Sequence, residues 1–118
     1  MYEVTVLKKS REFTAREIIA LRDMSRHTHT EKGMQIDNVK DYILFRVNND
    51  LAQNAEYEQL VIITETGTYY TGSSSFIADF IDIYEAVHGD GEPISVLVSA
   101  QPSKNYNGNE FYKCYLVV

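Results

Sequence analysis

The residues of this chain best suited to chemistry lie in its last quarter, where a polar loop joins two stretches of alternating residues. The loop carries a lysine and a tyrosine, Lys104 and Tyr106. The stretch after it places Phe111, Lys113 and Tyr115 on one face, because side chains alternate along a strand. A cation can meet a phosphate while aromatic rings stack on unpaired bases. This combination indicates binding of single-stranded nucleic acid, and the alternative is a surface hairpin whose tyrosines cover a sheet.

Further candidate contacts for a nucleic acid are basic and aromatic residues elsewhere in the chain: Arg11, Arg16, Arg22, Tyr69 and Tyr70. The two adjacent tyrosines lie in a predicted strand, where neighbouring side chains face opposite sides. One ring is therefore expected in the core, and the other at the surface, where it could stack on a base.

The charge of the chain is acidic overall but unevenly distributed. The net charge is −6, yet residues 1–46 carry nine of the eleven lysines and arginines against seven acids. Residues 47–118 carry two basic residues against ten acids. The total argues against a generic polyanion binder, although basic groups can line one groove while acids face away. Stacking would then supply much of the affinity, for which nine tyrosines and five phenylalanines are available.

Length and composition indicate one globular domain, residues 1–118, expected in the cytoplasm. Hydrophobic residues make up 44% and charged residues 24% of the chain, which is ordinary for a soluble domain. No apolar stretch resembles a signal peptide or a membrane span, so we expect no membrane partner. The single cysteine, Cys114, cannot form an internal disulfide, and its apolar strand predicts a buried thiol.

Apolar patterning predicts several strands and one clear helix. The predicted strands cover Tyr2–Lys8, Tyr42–Val47, a hairpin of Leu60–Thr64 and Thr68–Thr71, residues 94–99 and residues 111–118. The helix is capped by serines 73–75 and continues through Phe76–Val87, with Gly89 as its predicted C-cap. Residues 24–38 and 48–58 are predicted to be loops.

The segment Phe13–Asp23 is open to two interpretations. Thr14 and Glu17 have the spacing of a capping box, which favours a helix. The segment also fits an alternating pattern, which favours a long curved strand, with Phe13, Ala15, Glu17, Ile19 and Leu21 on one face. We favour the strand. A helix here would make the chain an α+β sandwich and would weaken the binding hypothesis.

This order predicts a mainly β fold, an oligonucleotide-binding-like five-stranded barrel with one helix before the last two strands. In such barrels nucleic acid lies across the second and third strands, flanked by two connections. Here those connections are Lys8–Arg11 and Gln101–Asn109, where basic residues coincide with turns.

Several segments of the second half of the chain resemble a known family. They are Thr71–Phe76, the helix Ile77–Val87, Ile94–Val96, the loop Pro102–Gly108 and Phe111…Cys114. They are similar to the small single-stranded DNA-binding proteins of tailed phages that infect Gram-positive bacteria, including lactococcal phages. The resemblance is best over residues 60–118.

The resemblance implies a variant oligonucleotide-binding fold that coats single-stranded DNA during phage replication or recombination, in the host cytoplasm, and self-associates. It places Lys104 and Tyr106 near DNA and assigns no catalytic residue. A phage recombinase or host recombination proteins are candidate partners. The chain ends in an apolar strand, Leu116–Val118, without the acidic tail of bacterial counterparts. We therefore expect partners to dock on the body of the protein, and the strand edge to pair in a homodimer or higher oligomer.

Other motifs in the sequence give weaker indications of function. His27 and His29 lack further ligands at metal-site spacing, so a solvated loop is expected and no metal. Asp79, Asp82 and Glu85 recur at helical spacing, which predicts a solvated helix face rather than an acid–base set. No catalytic set or cofactor motif can be assembled, and an enzyme is not expected.

Two functions stand: a binder of single-stranded DNA, or an acidic protein-interaction or inhibitor domain that does not touch DNA. The placement of the cations distinguishes them. Cations that share one groove would favour the first function, and cations scattered among acids would favour the second.

Overall fold

The computed structural model describes residues 2–49, 56–102 and 110–118. The described residues are mainly β, with 51% of them in strands, and they include two α-helices. It divides into two compact units: Met1–His29 with Lys40–Gly72 (unit 1), and Thr30–Val39 with Ser73–Val118 (unit 2). The described ranges contain seven strands, and the five-stranded barrel predicted from the sequence is not confirmed.

Unit 1 combines strands with a short helix. In chain order its elements are β1 (Tyr2–Lys9), α1 (Ala15–Leu21), a 3-10 turn (Met24–Arg26), β2 (Thr28–His29), the second part of β3 (Gln35–Asn49), β4 (Glu56–Thr64) and β5 (Thr68–Thr71). β1 runs antiparallel to β3, β4 antiparallel to β5, and β2 parallel to β5. The predicted hairpin of β4 and β5 is confirmed.

The core of unit 1 is a buried cluster of Phe13, Ile43, Phe45 and Val61. Half-buried side chains pack against this cluster, namely Val4, Val6, Ile18, Leu21, Met24, Ile63 and Tyr70. The core therefore draws on every long element of unit 1, although α1 itself contains no buried residue.

The prediction of a strand over Phe13–Leu21 is wrong, because α1 is a helix. Thr14 is its N-cap and forms a complete capping box with Glu17. The helix turns Ile18 and Leu21, three residues apart, toward the core cluster. Ile19, which the strand interpretation placed on the buried face, is 57% exposed.

Unit 2 joins the first part of β3 to three later elements: α2 (Ser74–Val87), β6 (Ile94–Pro102) and β7 (Glu110–Leu116). β6 runs antiparallel to both β3 and β7. The predicted helix before the last two strands is confirmed, with Ser73 as its N-cap. The helix ends at Val87 as predicted, but its C-cap is His88 and not Gly89.

The prediction of an exposed loop over residues 24–38 is wrong in part. β2 lies inside this range, and β3 begins at Gln35. Asn38 has a positive φ of 55°, a conformation that asparagine tolerates better than most residues. The register of β3 against β6 shifts between Ile36 and Val39, so Asn38 lies in a β-bulge.

Candidate nucleic-acid interface

One face of β7 carries two exposed aromatic rings with a lysine between them. Phe111 is 36% exposed and Tyr115 is 42% exposed, whereas Lys113 is half-buried. Cys114, on the other face of the strand, is 4% exposed. We call Phe111, Lys113 and Tyr115 the β7 face. The structure brings these predicted residues together as the alternation of a strand requires.

Neighbouring residues of β6 extend the β7 face. Leu97 pairs with Tyr115, and Gln101 pairs with Phe111. The side-chain amide of Gln101 donates a 2.5 Å hydrogen bond to the Tyr115 hydroxyl. This bond holds the phenol hydroxyl, while Tyr115 as a whole is 42% exposed.

Lys113 is not independent, because it forms an ion pair with Asp79 of α2. Lys113 Nζ lies 2.9 Å from Asp79 Oδ2. The hydrogen bond with this carboxylate raises the pKa of Lys113. Asp79 is half-buried, so the prediction that it belongs to a solvated helix face is wrong, whereas Asp82 and Glu85 are exposed.

Helix α2 also binds the backbone of β7. Asp79 Oδ2 accepts a 3.3 Å hydrogen bond from the Cys114 amide, and Ser75 Oγ donates a 2.7 Å bond to the Tyr112 carbonyl. Residues two apart in a strand direct their backbone groups to the same edge. Ser75 and Asp79 therefore cap part of the β7 edge where another strand could pair.

In unit 1, the predicted contact residue Arg11 is bound by two carboxylates. Its guanidinium lies 2.9 Å from Glu17 and 3.1 Å from Asp41. It also lies over the Phe13 ring, 4.0 Å from the centroid. The hydrogen bond to Glu17, with a smaller contribution from Asp41, raises the pKa of Arg11. Arg11 thus stabilises the start of α1.

Arg22 lines an open groove of unit 1 with a volume of about 470 Å³. The other lining residues are Ile19, Asp23, Met24, Tyr57, Gln59 and Tyr70. Neither Arg22 nor the exposed Arg16 forms an ion pair with a residue in the described ranges. The groove therefore combines a cation with two tyrosine rings.

Tyr57 was missed in the sequence, because residues 48–58 were predicted to be a loop. It lies near the start of β4 and is 41% exposed. Tyr69 and Tyr70 are both half-buried, rather than one inside and one outside. Tyr70 packs against the core cluster and meets the His29 ring edge-on at 4.9 Å.

Two predicted contact residues, Lys104 and Tyr106, lie outside the described residues, as does the rest of the segment 103–109. Their proposed contacts with DNA stay predictions.

Both ring nitrogens of His27 contact groups of the protein. His27 Nε2 donates to the Leu21 carbonyl at 2.7 Å, and its Nδ1 lies 2.6 Å from the Thr68 hydroxyl. Within the described residues, no three His, Cys, Asp or Glu side chains cluster as a metal site would require.

Burial raises the pKa of the Cys114 thiol to about 12, which fits the predicted buried thiol. Among the described helices, none has the length and apolar character needed to cross a bilayer.

Comparisons of the chain with protein-family models, with curated proteins and with solved structures found no match. The β7 face and the groove beside Arg22 are therefore the features from which a function can be inferred.

Proposed function

We propose that this protein binds single-stranded DNA without strong sequence preference, with bases stacked on the β7 face. The observation that carries this proposal is the pair of exposed rings, Phe111 and Tyr115, on either side of Lys113. Every base has a flat π-face, so stacking on such rings tolerates any sequence. Arg22 with the tyrosines of its groove supplies a second surface of the same chemistry in unit 1.

The proposal includes the finer features that the family resemblance implies. The fold would be a variant of the five-stranded oligonucleotide-binding barrel. The protein would coat single strands during phage replication or recombination in the host cytoplasm, and would self-associate. A phage recombinase or host recombination proteins would be its partners.

The test measures how well unlabelled oligo-dT, or a duplex of equal length, displaces fluorescent oligo-dT from the protein. We expect the single strand to compete far better, because stacking requires unpaired bases. Phe111→Ala and Tyr115→Ala should each weaken binding by roughly five- to 150-fold, since stacking is worth about 1–3 kcal/mol per base.

Two control variants isolate the aromatic rings. Tyr115→Phe should keep most of the affinity, because it retains the ring. Val117→Ala should also bind normally, since Val117 is 37% exposed but has no π-face. Equal affinity for duplex and single strand, or normal binding by both ring variants, would contradict the proposal.

A second candidate function is protein interaction or inhibition without DNA contact. The observation that favours it is that Arg11 and Lys113 are both neutralised by carboxylates, in a protein of net charge −6. Phe111 and Tyr115 would then contact apolar groups of a protein partner. Failure to bind oligo-dT at low salt would favour this second function.

A further inference from the structure

The ion pair of Lys113 places a carboxylate beside the lysine that lies between two candidate stacking rings. Asp79 Oδ2 is 2.9 Å from Lys113 Nζ, and the two side chains are 26% and 31% exposed. Both groups can therefore be reached by a ligand on the β7 face. A carboxylate and a phosphate accept hydrogen bonds from the same ammonium donors, so they compete for one lysine.

We propose that Lys113 forms a phosphate subsite which Asp79 occupies in the unbound protein, and that a single strand of DNA must displace this carboxylate to bind. The inference rests on the proposed function and specifies how its β7 face is regulated. The Asp79 carboxylate competes with phosphate for Lys113. It therefore lowers the affinity of the β7 face for single-stranded DNA and restricts binding to ligands that can displace it.

The exchange does not require the fold to open. Asp79 Oδ2 also accepts a hydrogen bond from the Cys114 amide, a backbone donor that does not depend on Lys113. The lysine side chain has a flexible four-carbon stem and can swing from one anion to another. Asp79 therefore keeps its place against the edge of β7 while Lys113 changes partner.

The competition has two measurable consequences. An ion pair that solvent partly reaches contributes little, so its removal should tighten oligo-dT binding by about two- to five-fold. The displaced carboxylate also takes up a cation from solution, which offsets part of the counterion release from DNA. Without Asp79, the slope of log affinity against log salt should become steeper by up to about 0.7.

The experiment compares Asp79→Asn with Asp82→Asn. Both remove one negative charge from α2, but Asp82 is exposed and forms no ion pair with a described residue. An asparagine at 79 can still accept the Cys114 amide. We expect Asp79→Asn to bind oligo-dT more tightly than Asp82→Asn and with a steeper salt slope. The difference should vanish when Lys113→Gln is present in both proteins.

A second measurement uses the unmodified protein. Addition of oligo-dT should move the carboxyl ¹³C resonance of Asp79 more than that of Asp82. Equal binding by the two asparagine variants, or equal resonance shifts in a wild type that binds, would overturn the subsite and leave the proposed function standing. Absence of oligo-dT binding by every protein would overturn both.

Discussion

Glu17 accepts hydrogen bonds from two donors in the segment that precedes α1. Its Oε1 accepts the Thr14 amide at 2.8 Å, and its Oε2 accepts the Arg11 guanidinium at 2.9 Å. The Arg11 hydrogen bond, followed by the Thr14 amide, lowers the pKa of Glu17 from 4.5 to about 2. One carboxylate thus completes the capping box and holds the arginine that was predicted to meet DNA.

Glu17→Gln tests this arrangement. Glutamine also serves in a capping box, so the variant removes the charge but keeps the cap. The folded pKa lies below the unfolded one, so the ionised carboxylate stabilises the fold above pH 4.5 and loses that effect as pH falls toward about 2. The variant should be less stable than wild type at pH 7 and lose less stability on acidification. Urea unfolding across this range measures both, and parallel acid profiles would contradict the assignment.

At the scale of elements, helix α2 and strand β7 act together. Ser75 and Asp79 lie four residues apart on α2, so both face the same neighbour. Together they bind the Tyr112 carbonyl and the Cys114 amide. An uncovered strand edge is a template for pairing with another chain, and here side chains of a helix cover part of it.

The double variant Ser75→Ala with Asp79→Ala should uncover the β7 edge. We expect a higher mass in light scattering than for wild type at equal concentration, because the released backbone groups can pair with a second copy. Asp82→Ala, a substitution on the same helix, should leave the mass unchanged. If the double variant stays folded with the mass of wild type, the capping role is wrong.

Self-association of the whole molecule stays a prediction. The edge of β1, rather than the edge of β7, is available for it. β1 pairs with β3 as its sole partner among the described strands. Its register is regular from Tyr2 to Val6 and shifts between Val6 and Lys8. The regular part of β1 therefore offers an edge to a second copy, whereas the edge of β7 is partly capped.

We expect the wild-type protein to form a homodimer or higher oligomer. Light scattering at micromolar concentration measures the mass directly, and a monomer mass would contradict this expectation. Val4→Pro should lower the mass of the oligomer if β1 forms the contact, because proline donates no backbone hydrogen bond.

Local patterns in the sequence determined the elements whose signals lie within a few residues. The β4–β5 hairpin follows from its own turn, in which Thr64 Oγ1 donates to the Gly67 carbonyl. Helix α2 follows from its serine cap and apolar spacing, and the alternation of β6 and β7 correctly placed Phe111 and Tyr115 on one face. The segment of α1 carried both a capping box and an alternating pattern. The helix formed because it brings Ile18 and Leu21 to the core cluster.

The long-range carboxylate partners of Arg11 and Lys113 were decided by the tertiary structure alone. Arg11 and Asp41 are 30 residues apart, and Asp79 and Lys113 are 34 residues apart. A cation in a sequence has no visible partner at such distances, so Arg11 and Lys113 looked available for phosphate. Folding brings a carboxylate to each of them, and an opposite charge nearby favours the charged form of each cation. Short-range spacing therefore predicted the aromatic face, and long-range packing set the charge that accompanies it.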